Sequence, residues 1–121
     1  MKILFIITDA PYGIEKAYNA LRLSMQLQKE SASGGESNEV WIFLMADAVT
    51  CALPNQSTPQ GYYDIERMMK AVINKGGKVK ICGTCADARG LDSIQLIEGA
   101  ERSTMQELTQ LTLAADKVIT F

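Results

Sequence analysis

The sequence predicts an α/β fold, a three-layer α/β/α sandwich on a mainly parallel sheet of four or five strands. Three observations carry this. Short, nearly continuous runs of β-branched and aromatic residues recur along the chain, as in strands covered on both faces. Between them lie stretches whose apolar residues return every three or four positions, the spacing of amphipathic helices. The two patterns alternate, which implies right-handed strand-helix-strand crossovers.

Lys2 to Thr8 (KILFIIT) reads as the first strand and, lacking polar alternation, as a central one. Ile14, Ala17, Leu21 and Met25 then keep helical spacing to about Lys29, and Ser31 to Gly35 (SASGG) marks a flexible turn. Val40 to Met45 (VWIFLM) repeats the strand pattern. Ala52 to Gly61 (ALPNQSTPQG) is a loop with two prolines. Tyr62, Ile65, Met68, Met69, Val72 and Ile73 form a second helical face, stopped by Gly76-Gly77. Lys78 to Cys82 (KVKIC) is the third strand. Asp92 and Gln95 are placed to cap a short helix ending near Gly99, and Thr104 with Glu107 has capping-box spacing ahead of Leu108, Leu111 and Ala115. Lys117 to Phe121 (KVITF) closes the sheet. The whole reads as a Rossmann-like sandwich whose strand order the pattern leaves open.

At 121 residues and 13.3 kDa, with 47% hydrophobic and 21% charged residues, the chain is expected to form a single domain over residues 1–121 that needs no disulfide or structural metal. Twelve basic and fourteen acidic residues leave a net charge of −2 with no basic cluster, which argues against nucleic-acid binding. The apolar opening is too short for an export signal or a membrane span, so no membrane partner and a cytoplasmic location are expected. Three cysteines, an odd number, suit a reducing compartment, where a close pair suggests chemistry or metal more than a staple.

The chain has no histidine, which removes Ser-His-Asp and Cys-His nucleophile pairs, His-rich zinc sites and imidazole bases together. Reactive groups of open parallel sheets gather beyond the carboxyl ends of the strands. Three segments qualify: Thr8 to Gly13, Ala46 to Ala48, and Cys82-Gly83-Thr84-Cys85. Two thiols three positions apart can exchange a disulfide, hold half a zinc site or carry sulfur as a persulfide, and Cys82 and Cys85 are the catalytic candidates. The plainer alternative is a buried strand-end cysteine with an incidental neighbour. Cys51, Cys82 and Cys85 are too few ligands for zinc without histidine, so no metal and no cofactor are expected, a site shared between subunits staying open. A thioredoxin-type dithiol opens a helix among aromatic and proline neighbours, which Ile81 and Ala86 do not match. Arg89 could favour a thiolate or bind an anionic sulfur species, with Asp87 opposing it; both could equally be solvated in a turn. Asp9 and Asp47, at two strand ends, could line the same crevice or serve as turn and cap residues. A phospho-receiver site is excluded because Asp9 stands alone and Lys117 begins its strand. No phosphate-binding glycine loop is present.

With these residues in view, the chain resembles the DsrE/DsrF-like sulfur-relay family, in its small YchN-type branch. The resemblance runs through the first strand with Ala10-Pro11-Tyr12-Gly13, Ala20-Leu21-Arg22-Leu23, Phe43 to Thr50, the cysteine segment with Arg89-Gly90, and Ala115 to Phe121. It implies a Rossmann-like fold, a homo-oligomer that is commonly a hexamer, and sulfur-donor and sulfur-acceptor proteins as partners. In the carrier members one cysteine at a strand end, a few residues before an Arg-Gly, takes sulfane sulfur as a persulfide and hands it on in tRNA thiolation or sulfur oxidation. The match of Ile81-Cys82 and Arg89-Gly90 carries that role to Cys82, so a sulfurtransferase or sulfur carrier is expected. Cys85 has no counterpart in the carrier pattern and could resolve a Cys82 persulfide into a disulfide and sulfide. The contrasting expectation is a non-catalytic oligomeric adaptor with inert cysteines.

Overall fold

The computed structural model describes residues 1–32 and 38–121. Five strands, β1 (Lys2–Ile7), β2 (Glu39–Leu44), β3 (Lys78–Cys82), β4 (Ala100–Ser103) and β5 (Lys117–Thr120), form one sheet in the order β4-β3-β2-β1-β5. All four pairings are parallel. The helices are α1 (Lys16–Ala32), α2 (Ile65–Asn74), α3 (Gly83–Asp87) and α4 (Met105–Ala114), with a 3₁₀ segment at Ala46–Ala52.

The register sorts side chains by face. Ile3, Phe5 and Ile7 stand beside Val40, Ile42 and Leu44, which stand beside Val79 and Ile81. Every one of these is sealed, at 2% exposure or less. This face is covered by α1 and α2, which pack on each other and bury Ala17, Ala20, Leu21, Ile65, Met69 and Val72. The other face carries Leu4, Ile6, Trp41, Phe43, Lys80 and Cys82, and α4 lies over it, since Lys80 Nζ reaches Glu107 at 3.6 Å. A return from edge strand β4 to edge strand β5 by a right-handed crossover requires that opposite side. The result is the three-layer sandwich expected, with its second helical layer a single helix.

Several boundaries differ from the sequence reading. The first helix starts at Lys16, leaving Ile14 outside it and 43% exposed. It runs on through Ala32, so Ser31 and Ala32 are helical, while the rest of the expected turn, Ser33 to Gly35, lies outside the described residues. The second helix starts at Ile65, because Asp64 caps it by accepting the Arg67 N–H at 3.2 Å. Tyr62 therefore belongs to the preceding loop, stacked on Tyr63. The helix expected from Asp92 to Gly99 does not form. That stretch is turn and bend leading into β4, whose AERS sequence has no apolar signal because it is a short edge strand with only Ser103 buried. The Thr104 cap does form, its hydroxyl accepting the Glu107 N–H at 3.2 Å. The Glu107 carboxylate accepts the Ser103 hydroxyl instead of the Thr104 N–H. Among the described residues no helix is long and apolar enough to cross a membrane.

Candidate functional site

Strand β3 ends at Cys82, and the chain turns directly into α3, with Cys82 as the residue before the helix and Cys85 in its first turn. The dithiol thus does open a helical turn, although without the aromatic and proline neighbours of a thioredoxin. Gly83 has a crowding reason to be glycine, not the freedom to turn that its position suggests. Its φ is not positive, and a Cβ there would sit 3.1 Å from the Ser103 carbonyl and 3.4 Å from Arg102 Nη2. A side chain here would press on the β4 backbone at the point where α3 begins.

Cys82 is 5% exposed and opposes Ser103 in the β3–β4 ladder. It lines a cleft of about 410 Å³ whose walls include Thr84, Asp87, Arg102, Thr104 and Met105. Met105 stands 59% exposed at the rim. Burial acts to push the Cys82 thiol up. Hydrogen bonds from the Cys85 thiol, the Thr84 hydroxyl and the backbone N–H groups of Cys85 and Thr84 outweigh it, leaving the thiol below its ordinary 9.0. The Thr84 hydroxyl lies 3.3 Å from the sulfur. Cys85 moves the opposite way: the hydrogen bond it gives to Cys82 raises it most and burial adds, while the Ala46 N–H and the Arg89 charge work against both. The two thiols are thus pushed in opposite directions, Cys82 toward the thiolate and Cys85 toward the protonated thiol.

Arg89 serves Cys85 rather than Cys82. Its Nη1 donates to the Cys85 carbonyl at 3.0 Å, and its Nε and Nη2 hold Asp47 Oδ1 at 3.0 and 2.8 Å. Asp47 joins the group because β2 is the neighbour of β3. Asp87 does not oppose Arg89; it pairs with Arg102 at 2.6 Å. Asp9 is engaged elsewhere, by Lys16 at 3.1 Å, and its carbonyl accepts the Cys51 thiol at 3.8 Å. It follows β1, two strands from β3, and at about 4.8 Å per strand spacing that puts it roughly 10 Å along the sheet edge. Cys51 is buried, and burial pushes its thiol up to about 12. Among the described residues no three His, Cys, Asp or Glu side chains converge as a metal site. Thr84 and Arg102 went unremarked in the sequence: Thr84 is a signal in hindsight, the middle of the CGTC turn, whereas Arg102 sits in the strand that carries no pattern.

The DsrE/DsrF-like family model matches residues 1–121. The chain belongs to this family. Family members are broadly associated with sulfur relay. Protein YchN of Escherichia coli K12 is 43% identical over 121 residues, covering 99% of this chain and 98% of that protein. An uncharacterized protein of Methanocaldococcus jannaschii is 40% identical over the full length of both. The crystal structure of the E. coli ychN protein superposes with a TM-score of 0.91 at 40% identity, covering 100% of this chain and 99% of that one. A protein of unknown function from Methanobacterium thermoautotrophicum shares the fold alone, with a TM-score of 0.73 at 14% identity. Family and sandwich fold thus stand as the sequence predicted.

Proposed function

We propose that this protein takes sulfane sulfur onto Cys82 as a persulfide and passes it on. The observation that carries the reading is the opposed polarisation of two adjacent thiols at the end of β3: Cys82, 3.3 Å from the Thr84 hydroxyl, is held toward the thiolate beside a cleft large enough for a small donor or the tip of a chain. The thiolate attacks the outer sulfur of a donor persulfide; the donor's S–S bond breaks with its electron pair leaving on the donor thiolate. Cys82 then carries the sulfur, and an acceptor thiolate removes it by the same exchange. Membership of a family associated with sulfur relay supports the assignment.

The working form is a homo-oligomer, taken to be a hexamer from the family resemblance. Support comes from Met105, Leu113 and Val118, which stand 59%, 83% and 42% exposed around the thinly covered α4 face. Sulfur-donor and sulfur-acceptor proteins are its partners, in the cytoplasm, where a free dithiol stays reduced.

Cyanolysis tests the reading. After treatment with inorganic polysulfide and desalting, the Cys85→Ser protein yields about one thiocyanate per chain with cyanide. Cys82→Ser yields none. Equal yields from Cys82→Ser would move the acceptor to another thiol, and no yield from any form would favour an adaptor with inert cysteines.

A further inference from the structure

The turn that leaves β2 converges on Cys85. Ala46 has a φ of 50°, a left-handed conformation that a residue with a Cβ adopts only when its surroundings hold it there. Its N–H acts to favour the Cys85 thiolate. The next residue, Asp47, anchors Arg89 through two nitrogens, and the third nitrogen of the same guanidinium holds the Cys85 carbonyl at 3.0 Å. A strained turn and a clamped guanidinium therefore converge on one residue, the guanidinium holding its backbone carbonyl, which an incidental cysteine would not require.

We infer that Ala46, Asp47 and Arg89 are positioning residues for a second chemical step, in which Cys85 discharges the Cys82 persulfide as hydrosulfide. The inference rests on Cys82 being the sulfur acceptor. Cys85 sulfur attacks the inner sulfur of Cys82–S–S⁻; the bond to the outer sulfur breaks, and its electron pair leaves with that atom. The proton of Cys85 goes with it, so the products are a Cys82–Cys85 disulfide and HS⁻. The sulfane sulfur is reduced and the two cysteines are oxidised, and a dithiol reductant must restore them.

The opposed shifts of the two thiols also order the steps. While Cys82 is a free thiolate, Cys85 is its hydrogen-bond donor and stays protonated. Once Cys82 is loaded, the negative charge sits on the outer sulfur and that hold is lost. The Ala46 N–H and the Arg89 charge remain, and both favour the negative charge that grows on the Cys85 sulfur as it attacks and its proton passes to the departing sulfur.

Two measurements test this. In polysulfide-loaded protein, Arg89→Gln and Asp47→Asn should lengthen the persulfide half-life and slow sulfide release about tenfold, the factor that accompanies 1.4 kcal/mol of lost transition-state stabilisation. In a Cys85→Ser background, adding Arg89→Gln should leave the half-life unchanged. Slower loading of that background, or discharge of Arg89→Gln at the wild-type rate, would overturn the inference. The second measurement uses no sulfur donor: Ellman's reagent places a mixed disulfide on Cys82, and attack by Cys85 releases a second thionitrobenzoate. Arg89→Gln should slow that second release about tenfold. If no form takes up sulfur, the persulfide reading fails while this release still judges the grip on Cys85: an unchanged rate there refutes it.

Discussion

Cys51, a residue of the 3₁₀ segment, is 1% exposed, and burial holds its thiol at about 12 against an ordinary 9.0. Its folded value is raised above its unfolded one. The stabilisation from keeping this thiol protonated is therefore complete below about pH 9 and is lost progressively as the pH climbs toward 12. At pH 10.5 the unfolded chain gains about 2 kcal/mol from ionising Cys51, taking about 1.36 kcal/mol per pH unit above the ordinary value, while the folded chain gains almost nothing. The assay is urea unfolding in the presence of reductant, followed by fluorescence of the single tryptophan, Trp41, at pH 7.5 and 10.5. Between those conditions the wild type should lose about 2 kcal/mol more than Cys51→Ala. Tyr63, also held up at about 12, titrates in both proteins and cancels. Equal losses in the two proteins would refute the reasoning.

Gly77→Ala should destabilise by about 1–3 kcal/mol in urea unfolding, because the new Cβ would lie 2.5 Å from Val72 Cγ1 and 2.8 Å from the Val72 carbonyl oxygen, a backbone atom with little room to yield. A loss under about 0.5 kcal/mol would show that α2 can shift. Iodoacetamide at neutral pH should label Cys82 ahead of Cys85, with Cys51 unlabelled until unfolding, as read by peptide mapping; labelling of Cys51 at a rate comparable to Cys82 would contradict the burial and polarisation described. Sedimentation at micromolar concentration should give an oligomer, and a 13.3 kDa species would refute the proposed self-association.

The parts of the fold legible in the sequence are those whose residues are buried on one or both faces. KILFII read as a central strand and VWIFL as a strand of the same pattern because both are covered, and KVKIC as a strand ending in the cysteine it does end in. Thr104 with Glu107 was legible as a cap because capping is a local contact. Strand β4 was not, since AERS lies at an edge and is held by backbone pairing to β3, which leaves no side-chain pattern. The Asp92–Gly99 helix failed for a related reason: capping residues are also turn residues, and here Ile97 N–H bonds the Ala52 carbonyl and draws the segment across as a loop. At the site, the dithiol was visible as spacing, but the direction of Arg89 was not. Asp47 and Arg89 are 42 residues apart, and only the adjacency of β2 and β3 brings them together at 3.0 Å. Asp9 and Asp47 look alike in sequence, each following a strand, yet strand order sends one to Lys16 and the other to Arg89.

Locating the added atom decides whether sulfur arrives at Cys82. Wild-type and Cys85→Ser protein are exposed to a low-molecular-weight persulfide, alkylated under non-reducing conditions and mapped by peptide mass spectrometry. One extra sulfur on Cys82, outlasting in Cys85→Ser the adduct seen in the wild type, is the predicted result. An adduct confined to Cys85 or Cys51, or an adduct that survives intact in Cys82→Ser, would contradict the account.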